Sequence, residues 1–117
     1  MSSHHLTLNL LEGSVSFNFS STAAQELKAE INLLIESLKT VTNHQGLGKA
    51  KSVPQNVMDY QHIGEVFLEI FCNPNIWPTP FAAKVLITIH DKNIRLTTEA
   101  ELTRIIEDIN QYLEMCI

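Results

Sequence analysis

The chain has 117 residues and a net charge of −5, with 44% apolar and 18% charged residues. This composition is typical of one folded domain and excludes a disordered chain, and the acidic balance disfavours general binding to nucleic acid or anionic membranes. The chain has neither an apolar run of the roughly 20 residues that cross a bilayer nor the basic start of a signal peptide, so we expect a soluble, cytoplasmic single domain over residues 1–117.

The chain begins with two stretches in which apolar and polar residues alternate. Leucines alternate with polar residues over 6–10, and Val or Phe alternates with Ser or Asn over 15–19. A period of two is typical of strands that bury one face. Gly13 lies between the two stretches and can adopt positive φ, so the sequence predicts a β-hairpin.

An amphipathic helix is predicted after this hairpin. Thr22 and Gln25 have the spacing of a capping box, which places the helix start near Thr22, and the helical pattern continues to about Asn43. Apolar residues recur at spacings of three and four, as expected for one buried stripe. The stripe contains Ala24, Leu27, Ile31, Leu34, Leu38 and Val41.

The middle of the chain is predicted to hold one strand between two loops. Residues 44–60 contain two glycines and a proline without a clear period, so we expect a flexible loop. Residues 65–72 alternate as a strand, which ends at the Pro/Trp loop 73–80, because three prolines there prevent further strand pairing.

A second hairpin followed by a helix is predicted at the end of the chain. Residues 83–90 form a strand, a tight turn follows, and Ile94–Leu96 returns as a short strand. Thr98 and Glu101 again have capping-box spacing and predict the helix start. The predicted apolar stripe contains Leu102, Ile105, Ile106, Ile109, Leu113 and Cys116, and Glu107, Asp108 and Glu114 are expected on the solvent side.

The element order is therefore hairpin–helix–strand–hairpin–helix, which indicates an α+β fold. Each helix has one apolar stripe and each strand has one face that is richer in aliphatic residues. A mainly antiparallel sheet of about five strands, with two long amphipathic helices packed on one of its faces, satisfies both patterns.

The other sheet face is the first candidate functional surface. Phe67, Phe71 and Leu86 fall on it among polar residues, and an uncovered apolar patch with a polar rim is typical of an interaction site. Trp77 lies between prolines and could anchor the rim of such a site. The alternatives are that loops cover the three apolar residues and that Trp77 is buried in the core.

The residues that could carry out chemistry give weaker patterns. No nucleophile motif or metal-ligand spacing is present, so we expect neither a metal nor another cofactor. The two cysteines, Cys72 and Cys116, lie on apolar stripes and are expected to be reduced. His62, His90 and Asp91 are the residues available for a pocket under loop 44–60.

We therefore expect a non-catalytic interaction, assembly or regulatory protein that binds a protein partner or a second copy through the open sheet face. An enzyme is the less favoured class. The first alternative is a small-molecule-binding or enzymatic domain with a pocket under loop 44–60. A minor alternative is nucleic-acid binding through the region of Lys39, Lys49 and Lys51, which the acidic net charge disfavours.

Overall fold

The computed structural model of the chain describes residues 4–46 and 54–116 and has an α+β fold. The described part contains six strands, two α-helices and a single 3-10 turn. The elements in chain order are β1 (His4–Asn9), β2 (Ser14–Phe19), α1 (Ser21–Gly46), β3 (Met58–His62), β4 (Phe67–Cys72), the 3-10 turn (Pro74–Ile76), β5 (Lys84–His90), β6 (Arg95–Glu101) and α2 (Leu102–Met115).

The strands form two antiparallel sheets, so the prediction of one sheet of about five strands is wrong. β1 pairs with β2, and β3, β4, β5 and β6 form a four-stranded sheet in chain order. The first hairpin contacts β6 through the Leu11 amide, which donates to the Glu99 carbonyl at 3.3 Å. It does not extend the larger sheet because β1 packs along α2, where the Asn9 amide donates to the Asp108 carboxylate at 2.7 Å.

The first hairpin forms as the alternating pattern predicts. β1 and β2 pair in a register that places Leu6 opposite Phe17, and both side chains are buried. Gly13 in the turn has a φ of +81°, a conformation that costs glycine little because it lacks a Cβ atom. The hairpin therefore has one apolar face in the core and one polar face towards solvent.

Helix α1 is confirmed, but its cap differs from the predicted one. The Ala23 amide donates to the Ser20 hydroxyl at 3.1 Å, so Ser20 caps the helix and Thr22 already lies within it. The hydroxyl run from Ser20 to Thr22 contains several possible caps, and the one at the strand end is used. The whole predicted stripe is buried, namely Ala24, Leu27, Ile31, Leu34, Leu38 and Val41.

Part of the predicted loop 44–60 is regular structure. Residues 44–46 continue α1, residues 47–53 lie outside the described residues, and residues 58–60 belong to β3. β3 has only five residues, and its alternation of Met58, Tyr60 and His62 with polar residues is too short to stand out in the sequence. It forms a strand because each of its five residues pairs with a residue of β4.

The second hairpin is confirmed, but its second strand is longer than predicted and the predicted cap of α2 is wrong. β6 extends to Glu101, so Thr98 is a strand residue that pairs with Ile87. Helix α2 begins at Leu102 without a side-chain cap, and the Leu102 amide donates to the Ala83 carbonyl at 3.0 Å. Pairing with β5 thus competes successfully with the local capping motif for these residues.

The core lies between the four-stranded sheet, the two helices and the first hairpin. The inner sheet face carries buried side chains from β3, β4 and β5, and the Tyr60 hydroxyl donates to the Ala23 carbonyl of α1 at 3.3 Å. Asp108 of α2 was expected on the solvent side, yet it is 5% exposed and faces the first hairpin. Within residues 4–46 and 54–116, neither helix combines the length and the apolar character that crossing a bilayer requires.

Candidate interaction surface

The strand register of the four-stranded sheet separates its side chains into two faces. Leu68, Ile70, Ile87 and their neighbours point towards the helices, and the residues between them point the other way. We call this second side the open face. It carries Asp59, Gln61, Phe67, Glu69, Phe71, Lys84, Leu86, Thr88, His90, Arg95, Thr97, Glu99 and Glu101.

The open face carries apolar side chains on both sides of its central row. Leu86 is 43% exposed, and its cross-strand neighbour Phe71 is half-buried, as is Phe67 on the same strand. Thr88 lies in the central row of the face, between Leu86 and His90 on β5, and is only 6% exposed, so the side chains around it pack closely. The structure therefore places Phe67, Phe71 and Leu86 on one surface, where an exposed leucine can contact another molecule.

One end of the open face contains a ring pair. The rings of Phe67 and His90 are stacked with centroids 4.7 Å apart and an interplanar angle of 25°. Together with Ile63, Asp91 and neighbouring turn residues, they line an open groove of about 480 Å³. Ile63 is 84% exposed, which extends the apolar surface beyond the end of the sheet.

The structure does not bring the three residues of the alternative pocket together. His62 lies on the inner side of the sheet, where its ring meets Phe19 edge-on at 5.0 Å, whereas His90 lies on the open face. Asp91 accepts hydrogen bonds from the amides of Asn93 and Ile94 at 2.8 and 2.9 Å. These bonds lower the pKa of the Asp91 carboxyl and account for this residue as part of the hairpin turn.

A separate groove of about 350 Å³ lies between α1 and residues 55–58. Leu33 and Val57 are the exposed apolar residues in its lining, which also includes Glu30 and Glu36. Neither histidine nor Asp91 lines this groove. The groove thus has the size of a ligand site, but most of its lining residues are polar, whereas ligand pockets are mainly apolar with a few polar groups.

Trp77 is held against the core. It is half-buried among core residues, and its indole lowers the pKa of the Cys72 thiol, whose side chain is on the inner face of the sheet. Trp77 therefore lies at the inner side of the sheet end, on the side opposite the exposed Leu86. Two hydrogen bonds also attach the Pro/Trp loop to residues 54–57. The Gln55 backbone N–H donates to the side-chain oxygen of Asn75 at 2.8 Å, and the Asn75 side-chain N–H donates to the Gln55 carbonyl at 2.9 Å.

We expect Cys72 to resist thiol reagents in the folded protein. It is 2% exposed, and burial raises the pKa of its thiol to about 11, an effect that the Trp77 indole partly offsets. At pH 8 such a thiol is ionised in about one molecule in a thousand. Alkylation of Cys72 by iodoacetamide should thus be at least about a hundredfold slower in the native protein than in urea, as measured by peptide mass spectrometry. Equal rates would show that the sulfur is accessible, and Cys116 in the same digest controls for reagent activity.

The residues of the nucleic-acid alternative are only partly described. Lys39 is exposed on α1 and lies 3.6 Å from Glu36 of the same helix, whereas Lys49 and Lys51 lie outside the described residues. Among the residues with described positions, no group of three or more His, Cys, Asp or Glu side chains could hold a metal ion.

Arg95 and Glu99 belong to the open face and were missed in the sequence. They lie on β6, where Arg95, Thr97 and Glu99 alternate with half-buried or buried residues. That alternation is visible in the sequence, but the capping-box spacing of Thr98 and Glu101 favoured a helix start at the same place. Comparison of the chain with known protein families, curated proteins and solved structures finds no match. The proposed function is therefore based on the chemistry of the open face.

Proposed function

We propose that this protein is a non-catalytic interaction module, with an assembly or regulatory role, that binds a protein partner through the open face. The observation that carries this proposal is the 43% exposure of Leu86 on an inner strand of a sheet face that the described helices leave uncovered. Aliphatic and aromatic side chains with a polar rim are the usual composition of a protein–protein contact. Burial of this surface would contribute roughly 25 cal/mol per Å² of apolar area before the costs of association.

The placement of the polar groups favours binding over catalysis. Asp91 is bonded within its own turn, Asp108 holds the first hairpin, and His62 and His90 are on opposite faces of the sheet. A catalytic site needs several such groups within reach of one reacting atom. The groove beside α1 is the best support for the small-molecule alternative, and its mixed lining makes that alternative weaker than the open face.

A matched pair of substitutions tests the open face. Leu86→Gln removes the exposed apolar side chain from this face, and Leu33→Gln makes the same change at a 64% exposed position of α1. We expect Leu86→Gln to weaken partner binding at least about tenfold, because hot-spot residues at the centre of an interface dominate affinity. Leu33→Gln should bind like the unmodified protein, and both variants should remain folded.

The measurement is affinity purification of the full chain and both variants, with quantitative mass spectrometry of the bound proteins. Proteins that are lost with Leu86→Gln and retained with Leu33→Gln are candidate partners, and titration calorimetry then gives their affinities. Thermal unfolding of each variant excludes a loss of fold as the cause. Sedimentation of the same proteins tests for a second copy as the partner, which mass spectrometry cannot distinguish from the bait. If every bound protein is retained equally by Leu86→Gln and Leu33→Gln, and Leu86→Gln weakens no self-association, the open face is not the binding surface.

A further inference from the structure

We propose that the partner of the open face is a second copy of this chain, bound face to face with its strands antiparallel, so that Arg95 of each copy meets Glu99 of the other. This inference rests on the proposed function and adds the identity and orientation of the partner. The inference is based on the positions of the charged side chains on the open face.

The charges on β6 are separated by sign along the strand. Arg95 lies at one end of β6, and Glu99 and Glu101 lie at the other, all on the open face. Four residues along a strand span about 13 Å, so Arg95 and Glu99 are too far apart to pair within one chain. In the part of the chain that the structure describes, neither side chain forms an ion pair. Arg95 and Glu99 of each copy therefore offer unpaired charges of opposite sign at separate positions of the same surface.

Two symmetric arrangements place one open face on another with the strands of the two copies aligned, and their charges differ. With the two-fold axis along the strands, β3 of one copy lies over β6 of the other. The strand register then brings Asp59 opposite Glu99 at two positions, which is repulsive.

With the axis across the strands, each strand lies over its own copy in the reverse direction. Centred on the row of Glu69 and Thr88, this arrangement brings Arg95 opposite Glu99 at two positions and Phe67 opposite Phe71. Both the charges and the aromatic rings then have partners. The second arrangement is therefore the favoured one.

The size of the face sets the expected strength of the dimer. Four strands about 4.8 Å apart and up to seven residues long cover about 450 Å² in projection. Standard interfaces bury about 800 Å² per partner, so this contact belongs to the small class, for which we expect dissociation constants in the micromolar range. Ion pairs at the edge of the face are screened by salt, so the dimer should weaken as ionic strength rises.

The favoured arrangement also has an identifiable cost at its axis. Glu69 is half-buried on the open face and accepts a hydrogen bond from the Gln61 amide at 3.1 Å. The axis brings the Glu69 carboxylates of the two copies together, which opposes association. Glu69→Gln should therefore tighten the dimer by about threefold or more, because it removes like charges that face each other.

Charge reversal tests the orientation directly. In sedimentation velocity at low salt, Arg95→Glu and Glu99→Arg should each weaken self-association by about tenfold or more, because each places like charges opposite one another. An equimolar mixture of the two variants should form a mixed dimer of near-normal affinity, since one copy then carries only acids and the other only bases at the two positions. Native mass spectrometry distinguishes the mixed dimer from the two homodimers.

Charge reversals on α2, away from the open face, serve as controls. Arg104→Glu and Glu107→Arg make the same charge changes at exposed positions of α2 and should leave the dimer unchanged. A mixture of Arg95→Glu and Glu99→Arg that stays monomeric, or controls that disrupt association equally, would overturn the proposed orientation. If the unmodified chain is monomeric up to about millimolar concentration, the partner is not a second copy. In that case the proposed function itself still depends on the comparison of Leu86→Gln with Leu33→Gln.

Discussion

Ile87→Ala should lower the free energy of unfolding by about 3–4 kcal/mol, whereas Leu86→Ala should lower it by less than about 1 kcal/mol. The two residues are adjacent on β5 and point to opposite faces of the sheet. Ile87 is 0% exposed and pairs with Ile70, which is also 0% exposed, so removal of its side chain leaves a cavity in the core. Leu86 is 43% exposed, so its loss leaves a gap that water can fill.

Urea unfolding followed by circular dichroism gives both values from the same assay. The slope of the transition should be unchanged in each variant, which would indicate that the change lies in stability and not in the unfolded state. At protein concentrations below those at which a dimer forms, losses of similar size at the two positions would mean that Leu86 is covered within the monomer. In that case the description of an open face, and the proposals that depend on it, would be wrong.

Asp108→Ala should lower the free energy of unfolding by about 2–4 kcal/mol, because it removes two hydrogen bonds to a buried carboxylate and leaves the Asn9 amide without an acceptor. Asp108 is 5% exposed. Its two oxygens accept from the backbone N–H and from the side-chain amide of Asn9, both at 2.7 Å. These contacts attach β1 to α2 and compensate for the burial of the carboxylate.

Neighbouring variants separate the contact from general effects on the helix. Glu107→Ala changes an exposed carboxylate of the same helix and should cost less than about 0.5 kcal/mol. Asn9→Ala removes only the side-chain bond and should cost about 1–2 kcal/mol, so a double-mutant cycle with Asp108→Ala isolates that bond. The same urea assay measures the unmodified protein, the three single variants and the double variant. A loss no larger for Asp108→Ala than for Glu107→Ala would show that the carboxylate is not holding the hairpin.

Local sequence patterns predict only part of the open face. Alternation in β4 and β5 is sufficient to assign Phe67, Phe71 and Leu86 to one side of a sheet, because successive side chains of a strand point in opposite directions. The charged end of the same face was not predicted, because Thr98 and Glu101 match a capping box as well as a strand. Trp77 is another ambiguous residue, since a Trp between prolines suits both a surface loop and the edge of a core.

The sequence by itself determined the elements whose signal is local. The hairpin around Gly13, the buried stripe of α1 and the strands β4 and β5 follow from period, turn chemistry and helix propensity within short windows. The tertiary structure alone decided the features that need a distant partner. β3 is a strand because β4 pairs with it, and β6 continues through Thr98 because β5 offers hydrogen bonds there.

The division into two sheets also depends on a contact between residues that are distant in the sequence. The position of Asp108 on α2 predicts a solvent-side residue, yet the amide groups of Asn9 make its burial favourable. That contact directs the first hairpin onto α2, and the larger sheet is left with four strands. A buried backbone N–H or C=O can form its hydrogen bond with any suitable group nearby in space. The sequence of the segment itself therefore does not specify which group that is.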